Sequence, residues 1–211
     1  MVKPIQWSGD NAPTPVNPPE VHVSKDSPVI IILGSLQELS ASIGLARSLL
    51  RDCNLPEFES LLRETQRHLY IFKSDIASMS EEEIVNGKKI PRPSQREVQI
   101  IDENIKQLEI SLGKKPDRFI IDCGAPAAAA LFLANEVTRR TERLFISLQN
   151  ALPSEFINLQ PKIKLGQQYL NHLSYQLYLM ARMTNRKLGI PEETIWTDAE
   201  TGEVKISLEQ E

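Results

Sequence analysis

The chain has 211 residues, enough for one domain with a real core. Hydrophobic residues make up 41% and charged residues 25%, with a formal net charge of -4, so nothing in the bulk favours nucleic acid or an anionic membrane as partner. The two cysteines, Cys53 and Cys123, match no zinc or redox spacing and read as buried thiols rather than a bridge. Met1 to Trp7 lacks the apolar core of a signal peptide, and the longest apolar run, Val29 to Leu33, is too short to span a bilayer. Cytoplasm is the expected location.

Residues 1–28 hold Pro4, Pro13, Pro15, Pro18, Pro19 and Pro28, a density that forbids helix. This stretch reads as an extended arm, a loop or a disordered tail. A helical pattern follows. Ser35 with Glu38 has capping-box spacing, and Leu36, Leu39, Ile43 and Leu50 follow at helical intervals. The same helix can instead start at Pro28. A second helix is expected from Pro56, carrying Phe58, Leu61, Leu62, Leu69, Phe72 and Ile76, and Asn86 to Pro93 reads as a polar loop. A third runs from about Ser94 and ends at Gly113, with Pro116 as a stop. Asp117 to Gly124 reads as extended, and Pro126 stands where a helix N-terminus would place it. The fourth helix is expected over 127–150 and the fifth over 161–186. The remainder forms a short hairpin or packs loosely. The expected fold class is all-α, a five-helix antiparallel bundle over 29–196, with the arm at 1–28 and a tail at 197–211.

Three segments carry chemistry. In Thr138-Arg139-Arg140-Thr141-Glu142-Arg143, helical geometry puts Asn135, Arg139, Glu142 and Arg143 on one face. Guanidinium forks at that spacing could clamp a polyphosphate, or the face is a solvated one laced by ion pairs. Asn171 and Ser174 lie one turn apart and could bond a nucleotide or each other. His172 between them has no ligand partner in its spacing, nor do His22 and His68, so surface histidines are expected and no metal site. Phe119 to Ala127 is an apolar strip entering a small-residue helix start, which permits close approach of a backbone or ligand. No Gly-rich phosphate loop or dinucleotide fingerprint is present.

Together these segments resemble the propanediol-utilisation type of ATP:cob(I)alamin adenosyltransferase. The matching stretches are Ser8-Gly9-Asp10, Lys25 to Pro28, Leu33 to Ser40, Phe119 to Gly124, Ala134 to Arg143 and Tyr169 to Leu177. The resemblance implies transfer of the 5′-deoxyadenosyl group from ATP to cob(I)alamin with release of triphosphate, in a homotrimer with sites between subunits. It implies that Gly9, Asp10, Thr14, Lys25, Arg139, Arg140, Arg143 and Asn171 bind ATP with Mg2+. Arg139, Glu142 and Phe119 would act in catalysis, with Phe119 and Ser174 against the corrinoid. A corrinoid-dependent enzyme or a reductase would be a further partner.

The family pattern is altered at Gln37, Asn135 and Tyr175, where the family has aspartate, arginine and aspartate, and the arm has Trp7 and Asn11 in place of lysines. Loss of both ends of the Asp–Arg pair leaves Gln37 and Asn135 expected to meet as neutral amides across two helices. The competing readings are a silent relative that binds corrinoid or nucleotide as carrier, sensor or chaperone, and a purely structural helical trimer.

Overall fold

A computed structural model describes residues 13–16, 22–78, 84–85, 87–113, 116–152, 157 and 159–208. Local signals place the helix starts. Helix α1 (Pro28–Asp52) begins on its proline, with the Ser27 hydroxyl accepting from the Ile30 amide at 3.4 Å. Proline has no N–H to orphan there, and its φ is already helical. The earlier of the two expected starts is therefore the real one, and Ser35 lies inside the helix. Helices α2 (Pro56–Ala77) and α4 (Pro126–Ala151) also open on proline. Helix α3 (Gln95–Leu112) has a complete capping box, Ser94 with Glu97, and ends at Gly113 with φ 74. Helix α5 (Gln160–Lys187) is the longest.

Short strands complete the fold. Strands β1 (Pro13–Pro15) and β2 (His22–Ser24) pair antiparallel in the arm, with Thr14 opposite Val23. Prolines are tolerated there because a two-stranded ladder is all edge. Strands β3 (Ile84–Val85) and β4 (Lys88–Lys89) form a small hairpin between α2 and α3. Strands β5 (Phe119–Ile120), β6 (Glu193–Thr197) and β7 (Val204–Leu208) make an antiparallel sheet in that order. The hairpin expected as one option at the chain's end is present, and it captures the extended strip before α4.

The core lies where α4 packs on α1 and α5, α3 on α5, and α2 on α1. Leu36, Leu39, Ile43 and Leu50 of α1 are all buried, as are Leu131 and Phe145 of α4 and Leu173, Leu177 and Met180 of α5. Ala127, Ala128, Ala130 and Ala134 let the neighbouring helices approach α4 closely. Despite its short unbroken apolar run, α1 is long and apolar enough, by length and composition, to cross a membrane. In this fold its apolar stripe faces α2 and α4.

Polar groups inside the bundle are mostly paired. Glu59 accepts from Arg47, Arg51 and Arg63, and Asp75 is held by Arg92 and Lys162. Cys53 and Cys123 are free thiols, half-buried rather than buried. His68 is a correction to the surface histidines expected from the sequence: it is 1% exposed between α2 and α5. The 3.6 period of α2 turns it inward beside Leu69 and Phe72. Its Nδ1 faces the Tyr169 hydroxyl at 3.2 Å. Its Nε2 lies 3.2 Å from Glu64 Oε1, outside hydrogen-bonding geometry, so that only a protonated ring would gain from the carboxylate. Burial holds the imidazole below its ordinary 6.5, against the pull of Glu64.

The unfolded chain therefore takes up a proton at this histidine before the folded chain does, and stability falls as pH drops below about 6.5. Glu59, held near 2 by Arg47 and then Arg51, begins to lose its contribution only below its ordinary 4.5. Urea midpoints should fall between about pH 7 and 5, and fall less in His68→Gln. Equal slopes in the two proteins would remove His68 as the cause.

Candidate active site

Two contacts set the register of α1 on α4. Ser35 Oγ meets Thr141 Oγ1 at 2.7 Å in the buried seam, and Glu38 Oε1 meets Arg140 Nη2 at 2.5 Å on the outside. Thr138 and Thr141 return their hydroxyl protons to the carbonyls of Ala134 and Val137, so the seam stays polar but satisfied. The α4–α5 register follows from Gly166 lying against Phe145 and from the Phe132 and Tyr178 rings, centroids 6.1 Å apart. Counting from these pairs puts Asn171 level with Arg139 and Arg140.

The arginines of α4 are poised outward. Arg139 and Arg140 keep 57% and 50% of their side-chain surface in solvent. Arg139 has only a loose contact with Glu136, Nε to Oε1 at 3.9 Å, and Arg143 forms no ion pair among the described residues. Glu142 is half-buried. Such guanidiniums are available for a polyanion, whereas Arg140 is oriented by Glu38. Asn171 is exposed at the same level. Ser174 is buried and donates to the Asn171 carbonyl at 2.8 Å, so its hydroxyl proton is committed to the helix.

The expected meeting of Gln37 with Asn135 does not occur within the chain. Gln37 is exposed and accepts from Lys73 Nζ of α2 at 2.6 Å. Asn135 is 6% exposed and donates to Glu136 at 3.3 Å. With Ser35 opposite Thr141, Asn135 lies about a turn or more along the seam from Gln37, on the order of 7 Å. Nor does Asn135 share the solvent face of Arg139 and Arg143. The expectation was carried over from the family's Asp–Arg pair, and the α1–α4 register within one chain does not bring the two positions together.

The remaining expected residues fall at the two ends of the bundle. Thr14 is in the β1–β2 hairpin and Lys25 is in the turn that leads into α1. Gly9 and Asp10 lie outside the described residues. At the other end Phe119, on β5, is 81% exposed. It precedes the start of α4, whereas Arg139 stands thirteen residues into that helix, about 20 Å further along.

Beside Tyr175 and His172, two residues with no signal in the sequence, Tyr178 and Asp122, lie near these expected positions. Tyr178 packs on Phe132 and stacks on Tyr175, centroids 6.3 Å apart. Tyr175 donates to Glu109 at 2.8 Å, so the residue standing at the family's aspartate position ties α5 to α3. Asp122 is pushed above its ordinary 3.8 by burial and by Glu136. His172 pairs with Asp102 at 2.6 Å, on the α3 side of α5. Among the described residues no group of three or more His, Cys, Asp or Glu could hold a metal ion.

Five antiparallel helices with an arginine-rich fourth helix, level with Asn171 of the fifth, define the class of fold and site. The cobalamin adenosyltransferase family model matches residues 6–184, and the chain belongs to that family. It is 30% identical over 166 residues to corrinoid adenosyltransferase PduO of Citrobacter freundii and 31% identical over 166 residues to that of Salmonella typhimurium. Each match covers 76% of this chain and 43% of the relative, so the chain spans less than half the length of these two proteins. It is 29% identical over 174 residues to a cobalamin adenosyltransferase of Cupriavidus metallidurans, covering 82% of this chain and 83% of that protein. A variant PduO-type ATP:corrinoid adenosyltransferase from Lactobacillus reuteri, complexed with cobalamin and ATP, superposes with a TM-score of 0.75 at 22% identity, over 90% of this chain and 95% of that one. A second variant, complexed with ATP, gives 0.72 at 22% identity, over 89% and 97%. At that identity the likeness is one of fold.

Proposed function

We propose that this chain transfers the 5′-deoxyadenosyl group from ATP to a cob(I)alamin-type corrinoid and releases triphosphate. The observation that carries the reading is the row of outward guanidiniums on α4, level with Asn171 and incompletely neutralised by carboxylates. Pairing along the helix would quench that charge, and among the described residues it is limited to the long contact of Arg139 with Glu136. In the transfer the cobalt(I) electron pair attacks the ATP 5′ carbon. The cobalt–carbon bond forms as the carbon–oxygen bond breaks, and the pair from that bond leaves with the triphosphate. Arg139 and Arg143 take the growing phosphate charge, Arg140 is set by Glu38, and Asn171 bonds the nucleoside part. Mg2+ would accompany the triphosphate and offset its charge, and Glu142, half-buried among the arginines, is the carboxylate that would face it. Phe119 lies against the corrinoid's lower face.

The separation of Phe119 from the arginines along α4 supports a site completed by a second copy, in a homotrimer. Ile31 and Leu45 of α1 and Leu133 of α4 are exposed apolar residues suited to that contact. The product would pass to a corrinoid-dependent enzyme.

The test is incubation with reduced cobalamin and MgATP, following the absorption spectrum and released triphosphate. Adenosylated product with stoichiometric triphosphate is expected. Corrinoid and ATP binding without product would sink the enzyme reading and leave a carrier or sensor. A stable monomer at micromolar concentration in sedimentation would remove the inter-subunit site.

A further inference from the structure

Asn171, Ser174, Tyr178, Arg182 and Asn185 follow one another at intervals of three or four residues, so they form one stripe down α5. The stripe begins at the level of the α4 arginines and ends beside the segment that carries Phe119. Asn185, at its far end, is 2% exposed, and both ends of its amide are used. Its Oδ1 accepts from the Ala125 amide at 2.9 Å, and its Nδ2 donates to the Cys123 carbonyl at 2.9 Å. Between those two residues Gly124 has φ 116, and a Cβ there would overlap the Asn185 side chain. Side chain and turn therefore fit each other with no room left.

The other end of the segment is held through the same helix. Arg182, one turn before Asn185, forms a two-pronged pair with Glu192, from Nε and Nη2 at 2.9 Å each. Glu192 leads directly into β6, whose Glu193 carbonyl accepts from Ile121 at 2.8 Å and whose Ile195 stands opposite Phe119. Residues 119–125 are thus strung between β6 and the Asn185 amide, and the last turns of α5 index both anchors.

We infer that Asn185 is a positioning residue that sets the segment 119–125, and through it Phe119, against the corrinoid, while leaving the nucleotide end of the stripe untouched. This rests on the proposed adenosyltransferase reading.

The test compares wild type, Asn185→Ala and Gly124→Ala. The second variant reaches the clamp from the opposite side and serves if the first fails to fold. Amide exchange of a peptide covering 119–126 needs no ligand. It should speed by about tenfold in either variant, the scale of one lost net hydrogen bond. In turnover, KM for cobalamin should rise by about tenfold or more with KM for ATP within about twofold. Unchanged exchange, or equal rises in both KM values, overturns the inference with the adenosyltransferase reading intact. Faster exchange in both variants of a protein whose wild type neither binds cobalamin nor forms product keeps the clamp but removes its corrinoid role, and there the adenosyltransferase reading has failed.

Discussion

Arg139→Ala should lower kcat/KM for ATP by about 10²–10³-fold, the loss typical when a charged group that stabilises a leaving anion is removed. The fold should barely notice. Arg139 keeps more than half its side chain in solvent, and its contact with Glu136 is 3.9 Å long, so the melting temperature should stay within about 2 °C. Arg139→Lys should fall between, because an ammonium restores the charge without the planar fork. Arg140→Ala differs in kind. It also breaks the link to Glu38 across α1 and α4, a half-exposed pair worth at most about 1 kcal/mol. An unchanged kcat/KM for ATP in Arg139→Ala, measured with reduced cobalamin over a range of MgATP concentrations, would show that the outward arginines of α4 serve solubility and not phosphate.

The helices were legible because their signals are local. Pro28, Pro56 and Pro126 each supply a first-turn residue with the right φ, and Ser94 with Glu97 satisfies two amides inside one short stretch. Strand β5 is two residues long and has no period to read. It exists because β6, more than seventy residues later, offers it a ladder. The same division runs through the site. Arg139, Arg140 and Arg143 declare themselves by spacing within one helix, and they remain together in the fold. Gln37 and Asn135 were joined through the family's ion pair, and within one chain the contact of Ser35 with Thr141 holds them apart. Asn185 was missed because what it holds is backbone some sixty residues away, which leaves no pattern around residue 185. Its only visible trace was the interval to Tyr178 and Arg182.

That dependence on register gives the α4–α5 seam the largest expected stability effect. Gly166 is buried in α5, and a Cβ placed there would overlap the ring of Phe145, which is itself fully buried. A glycine inside a helix costs about 1 kcal/mol against alanine, so its presence here is explained by the ring and not by the helix. Gly166→Leu should remove about 3 kcal/mol or more, since neither the ring nor the backbone of α4 can retreat through a packed core. Phe145→Ala alone should cost about 3–5 kcal/mol through the cavity it leaves. Each change supplies what the other lacks, so the double variant should be more stable than the sum of the two losses by about 2 kcal/mol. Urea unfolding of the four proteins measures that coupling. If the losses simply add, Gly166 does not face Phe145. The register that places Asn171 level with Arg139 and Arg140 is then wrong, and the nucleotide end of the proposed site loses its fifth-helix contact.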